Sequence, residues 1–310
     1  AVVTCADDGT ELGGGKVTLR DAVLAMADPA FTNAAGARVI TFSLGAVSNV
    51  TLNAQLDIAS GTKPFAIDGL NGGRGVTISG PSRLVRHDGD GLVLSNLTFR
   101  GGNAGAENGG AILVTKSDTT TNRTLTAVNC AFDGNAAQSG GAVAAGAKTH
   151  LVFDRCTFFG NTGNDAGAVL AGGSLVLADT SVLSNRSGSA AIFVWGEGVV
   201  AKSTLAFNAG TGGALRVASG ATCGVSDSLF SFNGMDGDQL CDAQNEGTLK
   251  LHGVKMLSGV TGGGSLNKGS HTTIGETAYP LFAEFDNEGF DIYAVSRAKD
   301  GVTHRVFLPL

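Results

Sequence analysis

The stretch that decides the fold reads HLVFDRCTFFGN (150–161), followed by SLVLADTSVLSN (174–185). Each is a short alternating apolar run, a polar corner, a second short run and a closing asparagine. TLTAVNCAFDGN (124–135) and LVLSNLTFRGGN (92–103) share the shape upstream, and VVAKSTLAFN (199–208) and VSDSLFSFN (225–233) share it downstream. The closing residues Asn103, Asn135, Asn161, Asn185, Asn208 and Asn233 are spaced by 32, 26, 24, 23 and 25 residues. A large apolar residue stands three before most of them (Phe132, Phe158, Val182, Leu205, Phe230); in the first segment Phe99 stands four before Asn103. A small-residue motif then follows each of the first five asparagines: GGAI (109–112), GGAV (140–143), AGAV (166–169), SAAI (189–192) and GGAL (212–215).

A period of 20 to 50 residues marks a solenoid or array. The runs alternate with period 2, are rich in Val, Leu, Phe and Thr, and are bounded by Gly, Asn and Ser, so they read as strands. The L-x-x-L-x-L pattern of leucine-rich repeats is not sustained, and a propeller blade needs about 40 residues. The expected fold is all-β: a single-stranded right-handed parallel β-helix, with a capping helix at its N-terminus and a cap at its C-terminus. Coils stacked about 4.8 Å apart align equivalent residues. The six asparagines should therefore form one hydrogen-bonded ladder at corners that need left-handed backbone. Six before each asparagine a second column (Asn129, Arg155, Asp179, Lys202, Asp227) alternates in sign from Arg155 onward and reads as a surface charge ladder.

Composition agrees. Glycine is 48 of 310 residues, but proline is 5 and no every-third-residue period exists, which excludes collagen. With 43% hydrophobic and 15% charged residues the chain is not a generic disordered one. A net charge of −6 argues against nucleic acid as a partner, and no apolar run is long enough to span a membrane. One domain is expected over 1–310: a cap over 1–38, coils over 39–258, and a C-terminal loop and cap over 259–310. In the N-terminal cap Thr18 and Asp21 read as a capping box. Leu19, Val23 and Met26 supply one apolar face, and Asp28-Pro29 ends the helix. Strands are expected at Val39–Leu44, Val50–Leu56, Phe65–Ile67 and Val76–Ile78, and a loop at Gly259–Gly269. The tail holds Phe282, Phe285, Phe290, Tyr293 and Phe307, a density that suits a cap. Of the five cysteines, Cys223 and Cys241 bracket a polar loop and are the best disulfide candidates.

The pairing of GGA[ILV] with FxxN resembles the repeats of the polymorphic outer membrane proteins, autotransporter passenger domains of bacterial surfaces. Val17-Thr18-Leu19-Arg20-Asp21-Ala22-Val23 is similar to the "SLREA(I/V)" cap that opens many bacterial β-helix proteins. The resemblance covers roughly residues 17 to 257. It implies a pectin-lyase-like β-helix that is secreted or at a cell surface, bacterial in origin, with an extracellular polysaccharide or a surface protein as partner. The tail to Leu310 lacks the regular ten-residue amphipathic strands of a translocating barrel.

Many β-helices act on polysaccharides, and a glycosidase needs two carboxylates at a set separation. A polar strip precedes the GGA motif: Glu107 and Asn108, Gln138 and Ser139, Asn164 and Asp165. Glu107 and Asp165 would stand two rungs apart, about 9–10 Å at the backbone, and are the catalytic candidates, with Gln138 and Asn164 as binding candidates. Arg86-His87-Asp88-Gly89-Asp90 gathers a base, a cation and two carboxylates and suits either a calcium-binding turn through Asp88 and Asp90 or part of a lyase site; Asp236, Asp238 and Asp242 are further calcium candidates. No organic cofactor motif is present, since neither a P-loop nor a G-x-S-x-G elbow occurs. A lone Trp195 and two tyrosines are few rings for a polysaccharide site, and Trp195 is the one aromatic binding candidate. A non-catalytic scaffold for adhesion or assembly is therefore favoured over a polysaccharide lyase or glycoside hydrolase.

Overall fold

The computed structural model describes residues 1–10, 14–33, 36–115, 122–234 and 241–274, and the backbone of Tyr293–Arg297 and Thr303–Phe307. Each coil contributes one short strand to each of three parallel sheets, of 11, 10 and 9 strands. In the coil that contains Asn161, Thr149–Asp154 lies in the first sheet, Thr157–Phe159 in the second and Ala166–Ala171 in the third. Each pairs with its equivalents one coil before and after, as Phe158 does with Phe132 and Val182. The parallel β-helix expected from the repeat is what forms.

Inward residues fill the tube. Phe99, Phe132 and Phe158 occupy one column of the second sheet, with ring centroids 5.4 and 4.7 Å apart and planes within 12° and 6°. Phe153, from the first sheet, meets Phe158 edge-on at 5.0 Å. These aromatic contacts add to the apolar burial that holds the coils together.

The asparagine ladder closes the corner between the second and third sheets. Asn161 Nδ2 donates to Phe132 O and to Asn185 Oδ1, both at 2.9 Å, while its own Oδ1 accepts from the backbone N–H and the amide of Asn135, also at 2.9 Å. Asn185 and Asn208 repeat the pattern and Asn233 continues it. Asn103 does not join. Phe99 pairs with Phe132, so the slot three residues on falls at Gly102, whose N–H donates to Asn135 Oδ1 at 2.9 Å. A side chain at Gly102 would collide with the carbonyl of Gly110. Asn103 is displaced by one residue into solvent, where its Oδ1 caps Gly105 N–H.

At the N-terminus the capping box forms: Asp21 N–H donates to Thr18 Oγ1 and Thr18 N–H to Asp21 Oδ2, both at 3.1 Å. The helix Leu19–Ala25 buries Leu19, Val23 and, at its C-cap, Met26 over the first coils. It stops at Ala25, three residues before Asp28, because Met26 and Ala27 N–H already turn back to Val23 and Leu24. Val2–Val3, read as part of the cap, is a strand paired with Thr41 and Phe42. The run Val50–Leu56 is divided into Asn49–Thr51 and Leu56–Ile58, on different sheets.

At the other end the loop expected over Gly259–Gly269 is a further rung. Val260–Thr261 pairs with Ala243 and Gln244, and Ser265–Lys268 with Thr248–Leu251, the three glycines 262–264 making the corner between them. Leu266 stands in the inward column of Leu249 yet is 42% exposed. Beyond Ile274 only an antiparallel pair, Tyr293–Arg297 with Thr303–Phe307, belongs to the described residues.

The disulfide expected between Cys223 and Cys241 is absent: all five cysteines are free and buried. Cys223 sits inside the first sheet, whereas Cys241 precedes a strand of the third and directs its thiol to Ala243 O at 3.1 Å. Burial raises the thiols of Cys130 to about 11 and of Cys156 and Cys223 to about 12.

Two outcomes follow. Asn161→Ala orphans the Asn135 N–H and amide and the Phe132 carbonyl, and should cost about 1–3 kcal/mol in urea denaturation; Asn103→Ala should stay within about 0.5 kcal/mol. The reverse order would refute the ladder's frame. A thiol reagent at about pH 8 should barely react with the native protein, since the thiolate is the reactive form, and should titrate five thiols after denaturation. Two fewer would restore the disulfide.

Candidate functional site

The polar strip exists as read. Gln138 N–H donates to Glu107 O and Asn164 N–H to Gln138 O, both at 2.7 Å, so Glu107, Gln138 and Asn164 occupy successive rungs with exposed side chains. Asp165 follows, also exposed. The sequence reading missed Arg83. Its guanidinium is buried, bonds Asn108 O and Gly109 O through Nε at 3.1 Å, and forms an ion pair with Glu107 through Nη2. That bond holds the Glu107 carboxyl below its ordinary value. A general acid needs the opposite shift.

The cleft described by the structure lies on a different corner. Between the first and second sheets each coil turns through a residue of positive φ: Asn96, Asn129, Arg155, Asp179, Lys202 and Asp227, at 47° to 55°. The expected charge column is thus a set of left-handed corner residues. A cleft of about 520 Å³ runs along it from Leu70 and Gly73 past Asn129 and Arg155 to Asp179 and Ser181. Arg155 turns to Asp154 at 3.0 Å, and Asn129 Nδ2 donates to Asn96 Oδ1 at 2.7 Å. Beneath them Thr180, Ser203 and Ser228 hydroxyls accept the N–H of Cys156, Thr180 and Ser203, a second ladder inside the first.

Three of the acidic candidates, Asp88, Asp90 and Asp242, have structural partners. Arg123, fully buried, faces Asp88 at 3.2 Å and Asp90 at 3.8 Å and donates to Ser60 at 3.3 Å. Removing one partner of such a buried cluster is costly, so these carboxylates balance the Arg123 guanidinium. His87 is buried beside them. It donates through Nε2 to Thr124 O at 3.0 Å, and burial lowers it to about 4, so it is a neutral core residue. Asp242 is no surface ligand either: it ends the asparagine ladder. Its Oδ1 accepts from Asn233 Nδ2 at 2.9 Å and its Oδ2 from the N–H of Ser258 and Gly259 at 2.6 and 3.3 Å. Asp236 and Asp238 lie outside the described residues. Among the described residues no three His, Cys, Asp or Glu side chains converge as a metal cage.

Trp195 is 59% exposed and stands on the corner between the third and first sheets. Its ring lies 5.2 Å from that of Phe193, tilted by 42°, and the Arg216 guanidinium covers Phe193 at 4.5 Å. Arg216 in turn reaches Glu246 at 3.1 Å and Ser189 at 3.1 Å, and Gln244 bonds Glu246 at 3.0 Å. This group comes from three successive rungs, and only Trp195 was singled out from the sequence. The partners follow from register: Phe193 pairs with Arg216 and Arg216 with Gln244.

The architecture defines a class, a parallel β-solenoid with its recesses and polar groups on the flanks of the coils. No protein-family profile and no curated protein matches the chain. Among solved structures it is similar to a doubly substituted pectate lyase from Xanthomonas campestris, at 13% identity and a TM-score of 0.36, over 84% of this chain and 82% of that chain. At that identity and TM-score the likeness says nothing about what this chain does. No helix among the described residues is long and apolar enough to cross a membrane.

Asp242 gives a pH test. Burial raises its carboxyl, outweighing the hydrogen bonds from Asn233, Ser258 and Gly259 that favour the anion. The folded state then keeps the proton to higher pH than the unfolded chain, where aspartate titrates near about 3.9. Where the native state binds more protons, stability falls as pH rises. The contribution is complete below about pH 3.9 and is lost as pH rises through the raised native value. Asp242→Asn ends this titration and turns an amide donor toward other donors. The variant should be less stable by about 1–3 kcal/mol at low pH, and the gap should narrow as pH rises above about 3.9 and through the raised native value. A gap independent of pH in urea midpoints would refute the assignment.

Proposed function

We propose that this protein is a secreted or cell-surface β-helix scaffold that binds through its flanks and performs no catalysis. One observation carries the reading: the Glu107 carboxylate is held by the Arg83 guanidinium and drawn below its ordinary value. Hydrolysis by a carboxyl pair requires one member to stay protonated near neutral pH. Arg83 stabilises the anion of Glu107, one of the two carboxyl candidates, and so opposes that role for it. The partner class is an extracellular polysaccharide or another surface protein.

A second reading, a polysaccharide lyase or glycoside hydrolase, draws on one feature. Glu107 and Asp165 are exposed on one strip, two coils apart. That is about 9–10 Å at the backbone, at the upper edge of the span of inverting enzymes.

Incubation with polygalacturonate, a mixed-linkage β-glucan and galactomannan decides between them. The scaffold reading expects no new reducing ends and no unsaturated products at any pH between about 5 and 9. Depolymerisation that disappears in Glu107→Gln or Asp165→Asn would establish the enzyme instead.

A further inference from the structure

The aromatic group on the third sheet has a chemistry of its own. Register places Gly172 one coil before Trp195 and Ala218 one coil after, each following a paired residue (Ala171, Val194, Val217). Both neighbours on this corner are thus too small to cover an indole. The glycines at this corner are also fixed there: a side chain on Gly172, Gly173 or Gly196 would strike the backbone of the adjacent coil. The indole therefore stands clear on one side and leans on Phe193 on the other.

On the next two coils lies a row of hydrogen-bonding groups. Arg216 and Glu246 are joined at 3.1 and 3.3 Å and remain partly exposed, and Gln244 is fastened to the same carboxylate. The guanidinium charge is thereby offset, and Glu197, two residues beyond Trp195, is exposed. The local charge is neutral to acidic on a chain of net charge −6.

We propose that this face binds a neutral hexopyranose unit of a polysaccharide, with one sugar ring stacked on Trp195 and its hydroxyls directed to Glu246, Gln244 and Arg216. A pyranose ring offers a face of C–H bonds, which suits the negative face of an aromatic ring. Its equatorial hydroxyls lie at the ring edge, where paired carboxylate, amide and guanidinium groups can accept and donate together. A uronate carries a carboxylate that the exposed Glu197 opposes while Arg216 is already paired with Glu246, so the class is neutral sugar. A stable protein interface buries about 800 Å² on each side, far more than one indole supplies. The inference rests on the binding reading above and names the ligand class of one flank.

Trp195 is the single tryptophan of the chain, so indole emission reports on this site alone. Galactomannan or mixed-linkage β-glucan should shift the emission to the blue and protect it from acrylamide quenching, and polygalacturonate should not. In affinity electrophoresis Trp195→Ala should lose about tenfold or more in affinity with an unchanged thermal midpoint, and Glu246→Gln should weaken retention without abolishing it. No emission change with either neutral polymer, retention unaltered by Trp195→Ala, or preference for polygalacturonate would overturn the proposal. Trp195-dependent binding together with cleavage of the bound polymer would defeat the non-catalytic reading and leave the sugar site standing.

Discussion

Each coil must repeat the same corner one strand spacing away from the last, and the buried asparagine amide makes that repetition possible. Strand pairing satisfies the backbone along the sheets but not where the chain leaves the second sheet for the third. There one side chain donates to a carbonyl of the coil before and to the amide oxygen of the coil after, while accepting two bonds itself. A buried polar group so fully partnered costs little to bury and much to remove. The geometry has a price in the residue just before it, which must adopt positive φ. Gly134 and Gly160 do so at 61° and 62°, but Ser184, Phe207 and Phe232 do so at 55°, 58° and 53°. A bulky side chain in that region is strained. Phe207 and Phe232 offset part of the strain by stacking at 5.4 Å with planes 5° apart.

The ends of the ladder show what it demands. At the N-terminal end Gly102 offers only an N–H, which suffices because nothing beyond it needs an acceptor from that rung. At the C-terminal end an amide would find no further amide, and a carboxylate is better suited: Asp242 takes three donors and gives none. A buried acid kept for its accepting capacity reads on the sequence as a surface loop acid, since its neighbourhood is polar and glycine-rich.

This contrast explains what sequence could and could not disclose. The coils were legible because stacking forces equivalent residues to recur, so Phe132, Phe158 and Asn161 carry the same message in different rungs. The Glu107–Gln138–Asn164 strip was legible for the same reason. Features that occur once were not. Arg83 reaches Glu107 from a coil without the GGA signature, and Arg123 is a core cation at the first position of its strand, where charge normally means solvent. Among the described residues Val2–Val3 and Ser265–Lys268 pair with one neighbour each, so no recurrence marks them. The cysteines were misjudged because loop spacing says nothing about which sheet a thiol faces.

The same logic bears on where binding can reside. In the third sheet the inward column runs Ile112, Val143, Val169, Ile192, Leu215 and Ala243, apolar at every rung. The outward column beside it runs Leu113, Ala144, Leu170, Phe193, Arg216 and Gln244, and its chemistry changes from rung to rung. The tube is specified by what repeats, so outward residues are free to differ. A site on such a surface is built from departures within two or three adjacent coils. Phe193, Arg216 and Gln244 are consecutive departures, and Trp195 rises from a corner where its neighbours are glycine and alanine. The glycines that let the coils approach one another also leave that ring uncovered.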